Sequence, residues 1–250
     1  MNKLLKKTLI GTAKIVSSVV AVLLLWWAFA AIAQNELVLP NPWQVLKIVG
    51  QLLLKGETYL ALLTTVARAA VAFALSFGVA LATMLFVGVC PIAKPFVGGV
   101  VTVLRALPTI AVILIAMVAF NSAVVPMFVA FLVAFPIVYG AFLRETDDKQ
   151  LADLCKVYGV SATKNVNYVL LPQAKRAMLL QCHDTLPLCV KIVIAGEVLA
   201  LPRLGLGKQM YVAKVNLLTA NVLALTLLAL VVCLILSGVF SLCQRRAHHD

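Results

Sequence analysis

The sequence predicts an all-α membrane protein of about six transmembrane helices, and three observations carry that prediction. First, 63% of the 250 residues are hydrophobic and only 12% are charged, whereas a soluble domain is about 45–50% apolar and about 25% charged. With a mean hydropathy of +1.07, the chain lacks the charge to solvate its surface. Second, the apolar residues lie in long uninterrupted runs, whereas barrel strands alternate apolar and polar over about 10 residues. Third, 21 Lys and Arg outnumber nine Asp and Glu for a net charge of +12, and the basic residues gather between the runs, as they do in membrane loops. A soluble enzyme, a disordered tail and a secreted disulfide scaffold are excluded. The basic excess is an orientation signal, so the bilayer is the expected partner and nucleic acid is not. Six cysteines without a CxxC pair lie mostly in apolar runs, which reads as buried small hydrophobes without disulfides or a metal site.

The first run, residues 15–33, follows Lys3, Lys6, Lys7 and Lys14. Ala31-Ile32-Ala33 before Gln34 has the form of a signal-peptidase site, but a run of about 19 residues exceeds a cleaved segment and suffices to span, so a retained helix is expected. Leu39-Pro40-Asn41-Pro42 and an amphipathic stretch over 43–55 predict an extramembrane loop with a surface-lying helix. The second run, 60–89, ends at Cys90-Pro91 and Lys94-Pro95. The third, 96–120, contains Arg105 and Pro108, so its first part is expected at the interface and its span to start near Pro108. The fourth, 123–142, includes Pro126 and Pro136. Residues 144–176 hold ten charges and must lie outside the bilayer. The fifth run, 177–201, carries His183, Asp184, Lys191 and Glu197. A short loop with Gly205 and Gly207 is expected over 202–216, then a sixth run over 217–242 closed by Arg245-Arg246.

Six spans put both termini on one side. With the N-terminus cytoplasmic, fourteen basic residues fall inside (Lys3, Lys6, Lys7, Lys14, Lys94, Arg105, Arg144, Lys149, Lys156, Lys164, Lys175, Arg176, Arg245, Arg246) and five outside (Lys47, Lys55, Arg203, Lys208, Lys214). That ratio predicts both termini cytoplasmic. The expected organisation is a cytoplasmic segment and first span over 1–33, an outer loop over 34–59, a five-helix core over 60–242 and a tail over 243–250. The core contains the cytosolic loop 144–176.

That loop is predicted to form two helices. Residues 150–158 are good helix formers with Leu151, Leu154 and Val157 at three-residue spacing, and Gly159 stops them as a C′ glycine does. Ser161 is an N-cap for a second helix through Tyr168 towards Leu171-Pro172. Gly159, nine residues, Val169, one residue and Leu171-Pro172 resemble the EAA signature of binding-protein-dependent ABC importer permeases. The Glu-Ala-Ala positions read Asp153-Leu154-Cys155, so the acid is kept as Asp and both alanines are lost. Leu39-Pro40-Asn41-Pro42 resembles the Leu-Pro-Ser-Pro of the nitrate, sulfonate and taurine branch. Thr64, Thr65 and Arg68 resemble its Ser-Leu-x-Arg, Leu104-Arg105-Ala106-Leu107-Pro108 its Leu-Arg-x-Ile/Leu-Pro, and Glu197-Val198-Leu199 with Gly205-Leu206-Gly207 its Glu-Met-Leu and Gly-Leu-Gly.

The resemblance, over about residues 37–240, implies the type I ABC importer permease fold in a bacterial inner membrane, with 34–59 periplasmic. It implies two ATP-binding subunits, an extracytoplasmic solute-binding protein and a permease homodimer around the path. No cofactor is implied. The substrate it implies is a small anion such as nitrate, a sulfonate or taurine, or a thiamine-precursor-like compound. No G-x-x-x-x-G-K-[ST] occurs in the chain, so ATP hydrolysis is expected to belong to a separate subunit and the chain itself is not expected to be an enzyme. Asp153, Leu154, Lys156, Gly159, Val160, Ser161, Lys164, Leu171 and Pro172 are then the expected ATPase-coupling residues, a rigid knob whose movement tilts the attached spans.

Ionisable residues within a span default to a pathway or a paired interior role. Asp184 and Lys191 are seven apart, on one helix face and about 10 Å apart along the axis, with Pro187 between them. Pairing and path lining both remain open for them. Glu197 reads as gate or packing contact, and Arg105 and Pro108 as path or gate candidates. His183 reads as hydrogen-bonded structure. Lys191 would attract an anion. Prolines 108, 126, 136 and 187 interrupt spans as in transporters whose helices bend round a path. A self-sufficient ion-coupled transporter or channel is the alternative class, but it would want inverted repeats and paired mid-membrane acids, and the chain has only isolated acids. A membrane-embedded enzyme would want His, Asp and Glu clusters, and two of the three His residues lie at the very C-terminus.

Overall fold

In lipid, backbone N–H and C=O groups have no water to bond, so continuous apolar runs satisfy them internally as helices. A computed structural model describes residues 2–33, 35, 37–146, 154, 157, 158 and 162–247, without the side chains of 2–16, 19, 162, 163, 167 and 242–247. Among the described residues there is no strand. The helices are α1 (Asn2–Ala33), α2 (Pro42–Leu53), α3 (Gly56–Val89), α4 (Lys94–Ala106), α5 (Thr109–Ala119), α6 (Val125–Thr146), the short α7 (Ala162–Asn165), α8 (Leu171–Ala200), α9 (Leu206–Val215) and α10 (Thr219–Ala247).

Four of the described helices are long and apolar enough to cross a membrane: α3, α6, the continuous helix Tyr168–Ala200 and Thr219–Ser241. A fifth is reached if α4 and α5, bent by 98° at their junction, count as one broken span. The apolar part of α1, Val20–Ala33, is shorter. The protein is thus an all-α chain with four to five candidate spans.

The chain divides into two units, Met1–Thr58 with Met210–Leu228 and Tyr59–Gln209 with Ala229–Asp250. In the first, the predicted surface-type helix is α2. Asn41 caps it, its Oδ1 accepting the Trp43 N–H at 3.1 Å, with Pro42 at the first position where a missing N–H costs nothing. Val45 and Leu52 are its buried residues, seven apart on one face, while Trp43 and Leu46 are exposed. The Thr219 hydroxyl donates to the Leu37 carbonyl at 2.6 Å, tying the start of α10 to the segment before α2.

In the second unit, α6 and α8 supply most of the core. One cluster joins Val125, Val129, Ala130 and Ala134 of α6 to Cys189, Val190 and Val193 of α8, with Ala69 and Ala72 of α3 and Ile113 of α5. Another joins Val138, Tyr139 and Phe142 of α6 to Ala174 and Ala177 of α8 and to Ala80 and Met84 of α3. The buried face of α3 recurs at three- and four-residue steps: Ala61, Thr65, Ala69, Ala72, Ser76, Ala80, Met84 and Val87. Small residues dominate it because helix association in lipid rests on close backbone approach and side-chain hydrogen bonds. Gly196 of α8 shows the same closeness, since a Cβ there would lie 2.8 Å from the Pro126 Cα.

At Pro187, inside α8, a neighbouring helix takes up the carbonyl that the proline leaves without a donor. Pro187 has no N–H for the His183 carbonyl one turn back, and Ser237 of α10 donates to that carbonyl at 3.3 Å. Arg105 Nη2 donates to the Pro136 carbonyl at 2.6 Å, and the guanidinium lies against Gly140, where a Cβ would collide with it.

Three expectations need correction. The span foreseen from Pro108 is an 11-residue helix, α5, about 16 Å long, because Leu107 and Pro108 are extended (ψ 128° and 125°) and break it from α4. The loop foreseen over 202–216 folds mostly as α9, whose first N–H groups find acceptors described below. The helix foreseen to end at Leu171-Pro172 does not end there but runs on through them into α8. A π segment, Val166–Leu170, runs into α8, with the Leu171 N–H bonded to the Val166 carbonyl. The wider turn relieves the clash between the Pro172 ring and the preceding carbonyls.

Candidate functional site

Glu197 sits in the last turn of α8 with its side chain fully buried, a costly place for a carboxylate without partners. Three groups meet it. Arg68 Nη1 donates to Oε1 at 2.6 Å, the Thr65 hydroxyl reaches Oε1 and Oε2 at 3.0 and 2.9 Å, and the Gly207 N–H donates to Oε2 at 3.0 Å. Arg68 Nη1 also donates to the Leu204 carbonyl at 2.7 Å, and Thr65 Oγ1 accepts the Leu206 N–H at 2.9 Å. The Arg68 side chain is 17% exposed, so this is a largely desolvated, charge-assisted pair.

Local sequence explains each partner's place. Thr65 and Arg68 are three apart near the N-terminal end of α3, hence on one face. Leu201 adopts a left-handed turn (φ 49°) that ends α8, its N–H returning to the Glu197 carbonyl at 3.0 Å. Gly205 has φ 154°, and a Cβ there would lie 2.5 Å from Glu197 Cδ. A Cβ on Gly207 would lie 2.7 Å from Glu197 Cβ and 2.9 Å from the Val198 nitrogen, and would strike the Ile194 carbonyl. Two positions without side chains therefore let the start of α9 descend onto the carboxylate, whose charge favours the positive end of a helix. The assembly is a latch between α3, α8 and the α8–α9 turn, and opening it breaks several charge-assisted bonds together.

Of the predicted path or gate residues, Glu197 is thus in a buried polar contact. Arg105 bonds across to α6, and Pro108 marks the α4–α5 break. Asp184 and Lys191 are both exposed on α8. No ion pair joins them among the described residues; Asp184 Oδ1 lies 2.7 Å from His183 Nδ1 instead. Pairing between Asp184 and Lys191 is therefore not what the structure adopts.

Of the predicted coupling residues, Leu154, Lys164, Leu171 and Pro172 are exposed. The Tyr158 N–H donates to the Leu154 carbonyl at 3.0 Å. Asp153, Lys156, Gly159, Val160 and Ser161 lie outside the described residues. Cys182, Cys189 and Cys233 are buried and Cys90 is exposed, all free. Among the described residues no three His, Cys, Asp or Glu side chains gather as a metal site would need.

Sequence reasoning treated Thr65, Arg68, Gly205 and Gly207 only as motif matches. The signal that they form one site was present: a basic residue near the head of one span and an acidic one near the tail of another, each too costly to leave unpaired in lipid. No protein-family model matches the chain, and no curated protein matches it.

Proposed function

We propose that the chain is the membrane-spanning permease subunit of a bacterial ATP-driven importer, with six spans in the cytoplasmic membrane and both termini cytoplasmic. The observation that carries this reading is the latch. The stretches holding Thr65 with Arg68, Glu197, and Gly205 with Gly207 each resemble a motif of one permease family, and they converge on a single carboxylate although Arg68 and Glu197 are 129 residues apart. Unrelated short matches have no reason to share a hydrogen-bond network. In the six-span arrangement the latch lies at the outer ends of α3 and α8 and acts as a two-state closure of the path.

Two further features support it. Leu154, Val157, Tyr158 and Tyr168 are 53%, 81%, 79% and 78% exposed. Apolar and aromatic side chains held out of the charged 144–176 segment suit docking to another protein, here a pair of ATP-binding subunits. The exposed Asp184 and Lys191 suit a water-filled path completed by a second copy of the chain, since neither charge is tolerable against lipid. Lys191 favours a small anion such as nitrate, a sulfonate or taurine delivered by an extracytoplasmic solute-binding protein.

Purification from its own membranes is expected to bring down an ATPase, and scrambling residues 153–164 to lose it without loss of membrane insertion. Uptake that persists with no ATPase partner would favour an ion-coupled transporter instead. Gly159→Val or Gly159→Asp is expected to reduce uptake to background with insertion intact, because at the left-handed helix stop that the sequence predicts there a side chain would cost about 1 kcal/mol or more and re-aim the second helix. Normal uptake by either variant refutes the coupling assignment.

A further inference from the structure

A groove of about 480 Å³ opens between α3 and α8, lined by Phe77, Leu81, Leu171, Pro172, Ala174, Lys175 and Met178. That volume is within the range of about 300–1,000 Å³ that takes small ligands. Its wall is apolar except for Lys175, and Arg176 beside it is also exposed. Neither cation has an ion-pair partner among the described residues.

The depth of the groove identifies its occupant. The helix Tyr168–Ala200 has 33 residues, about 50 Å, against a hydrocarbon core of about 30 Å. Its first turns therefore reach the headgroup region, and Lys175 sits in them. Phe77 and Leu81 lie well before the far end of the 34-residue α3. A cation at the boundary above an apolar slot between two spans fits a two-part amphiphile, anionic at its head and hydrocarbon below. We infer that this groove binds an anionic phospholipid, with its phosphate at Lys175 and an acyl chain along Phe77, Leu81 and Met178. A zwitterionic lipid would bring an ammonium group beside Lys175 together with its phosphate, and so a weaker attraction. A soluble anion would leave the apolar wall uncovered. The inference needs only a membrane-spanning chain and stands whatever the protein transports.

The full chain, reconstituted in bilayers of phosphatidylglycerol and phosphatidylethanolamine in equal parts, is released into the gas phase and its retained lipids weighed by native mass spectrometry. Phosphatidylglycerol is expected to be retained preferentially. Lys175→Ala should weaken that retention about five-fold, the effect of one basic residue at an anionic surface, while Lys175→Arg keeps it. Met178→Trp, which fills the slot from a half-buried position, should displace the lipid with Lys175 intact. Equal retention of both lipids, or unchanged retention in Lys175→Ala, overturns the site. Crosslinking of Met178→Cys to a second protein chain in native membranes overturns it as well, since the groove would then hold a protein. Carbonate extraction of the same membranes separates the two failures: a chain that washes out fails the membrane reading itself, whereas an integrated chain without lipid preference fails only this site.

Discussion

Arg68→Ala is expected to destabilise the protein by about 3–5 kcal/mol, the loss found when one partner of a buried ion pair is removed. The reason lies in what remains. Glu197 is fully buried, and without the guanidinium 2.6 Å away its charge is held only by the Thr65 hydroxyl and the Gly207 N–H. Neither supplies a counter-charge. Glu197→Gln should be milder, because an amide still accepts from Gly207 and Arg68 is the more exposed of the pair and can turn towards water. The double variant Arg68→Ala with Glu197→Gln should therefore be more stable than Arg68→Ala alone. Thermal midpoints in detergent micelles test the order. A double variant worse than Arg68→Ala, or an Arg68→Ala midpoint equal to the parent's, contradicts the buried-pair account.

Much of this arrangement was legible because the strongest sequence signals are energetic ones. Long apolar runs became α3, α6, α8 and α10 because backbone groups in lipid have no other acceptors. The helix α2 was legible from the amphipathic pattern of 43–55, which is local, although its cap at Asn41 was not read. What escaped depended on contacts distant in sequence. Residues 202–216 read as a loop since Pro202, Gly205 and Gly207 are poor helix residues. The helix that begins at Leu206 is fixed by acceptors on Thr65 and Glu197, more than a hundred residues and ten residues away respectively. Pro172 reads as a stop because the π turn that admits it has no sequence signature. Spacing put Asp184 and Lys191 on one face and left pairing and path lining open; about 10 Å along the axis exceeds a direct contact, and His183 is closer to Asp184. The groove below Lys175 was invisible, since it needs Phe77 and Leu81 of one span opposite Met178 of another.

Gly207→Ala is expected to be among the most damaging single-methyl changes at the described glycines. The added carbon would strike the Ile194 carbonyl and lie 2.9 Å from the Val198 nitrogen, and both are backbone atoms of α8 that no rotamer change can move. Overpacking of this kind costs about 1–3 kcal/mol where side chains can give, so the upper end applies here. Gly78 of α3 is the matched control: nothing lies within 4 Å of a Cβ built there. Gly78→Ala should be neutral or raise stability by about 0.5–1 kcal/mol, because Ala loses less backbone entropy in a helix. The functional consequence follows from where the strain is released. The easiest relief is to lift the start of α9 off α8, which breaks the Gly207 bond to Glu197 and the Leu206 bond to Thr65 together. On the proposed permease reading, uptake should then fall more steeply than stability, because the latch is lost while the core of α6 and α8 is untouched. A Gly207→Ala protein with the midpoint and uptake of Gly78→Ala would show that the turn between α8 and α9 does not close on Glu197 in the membrane.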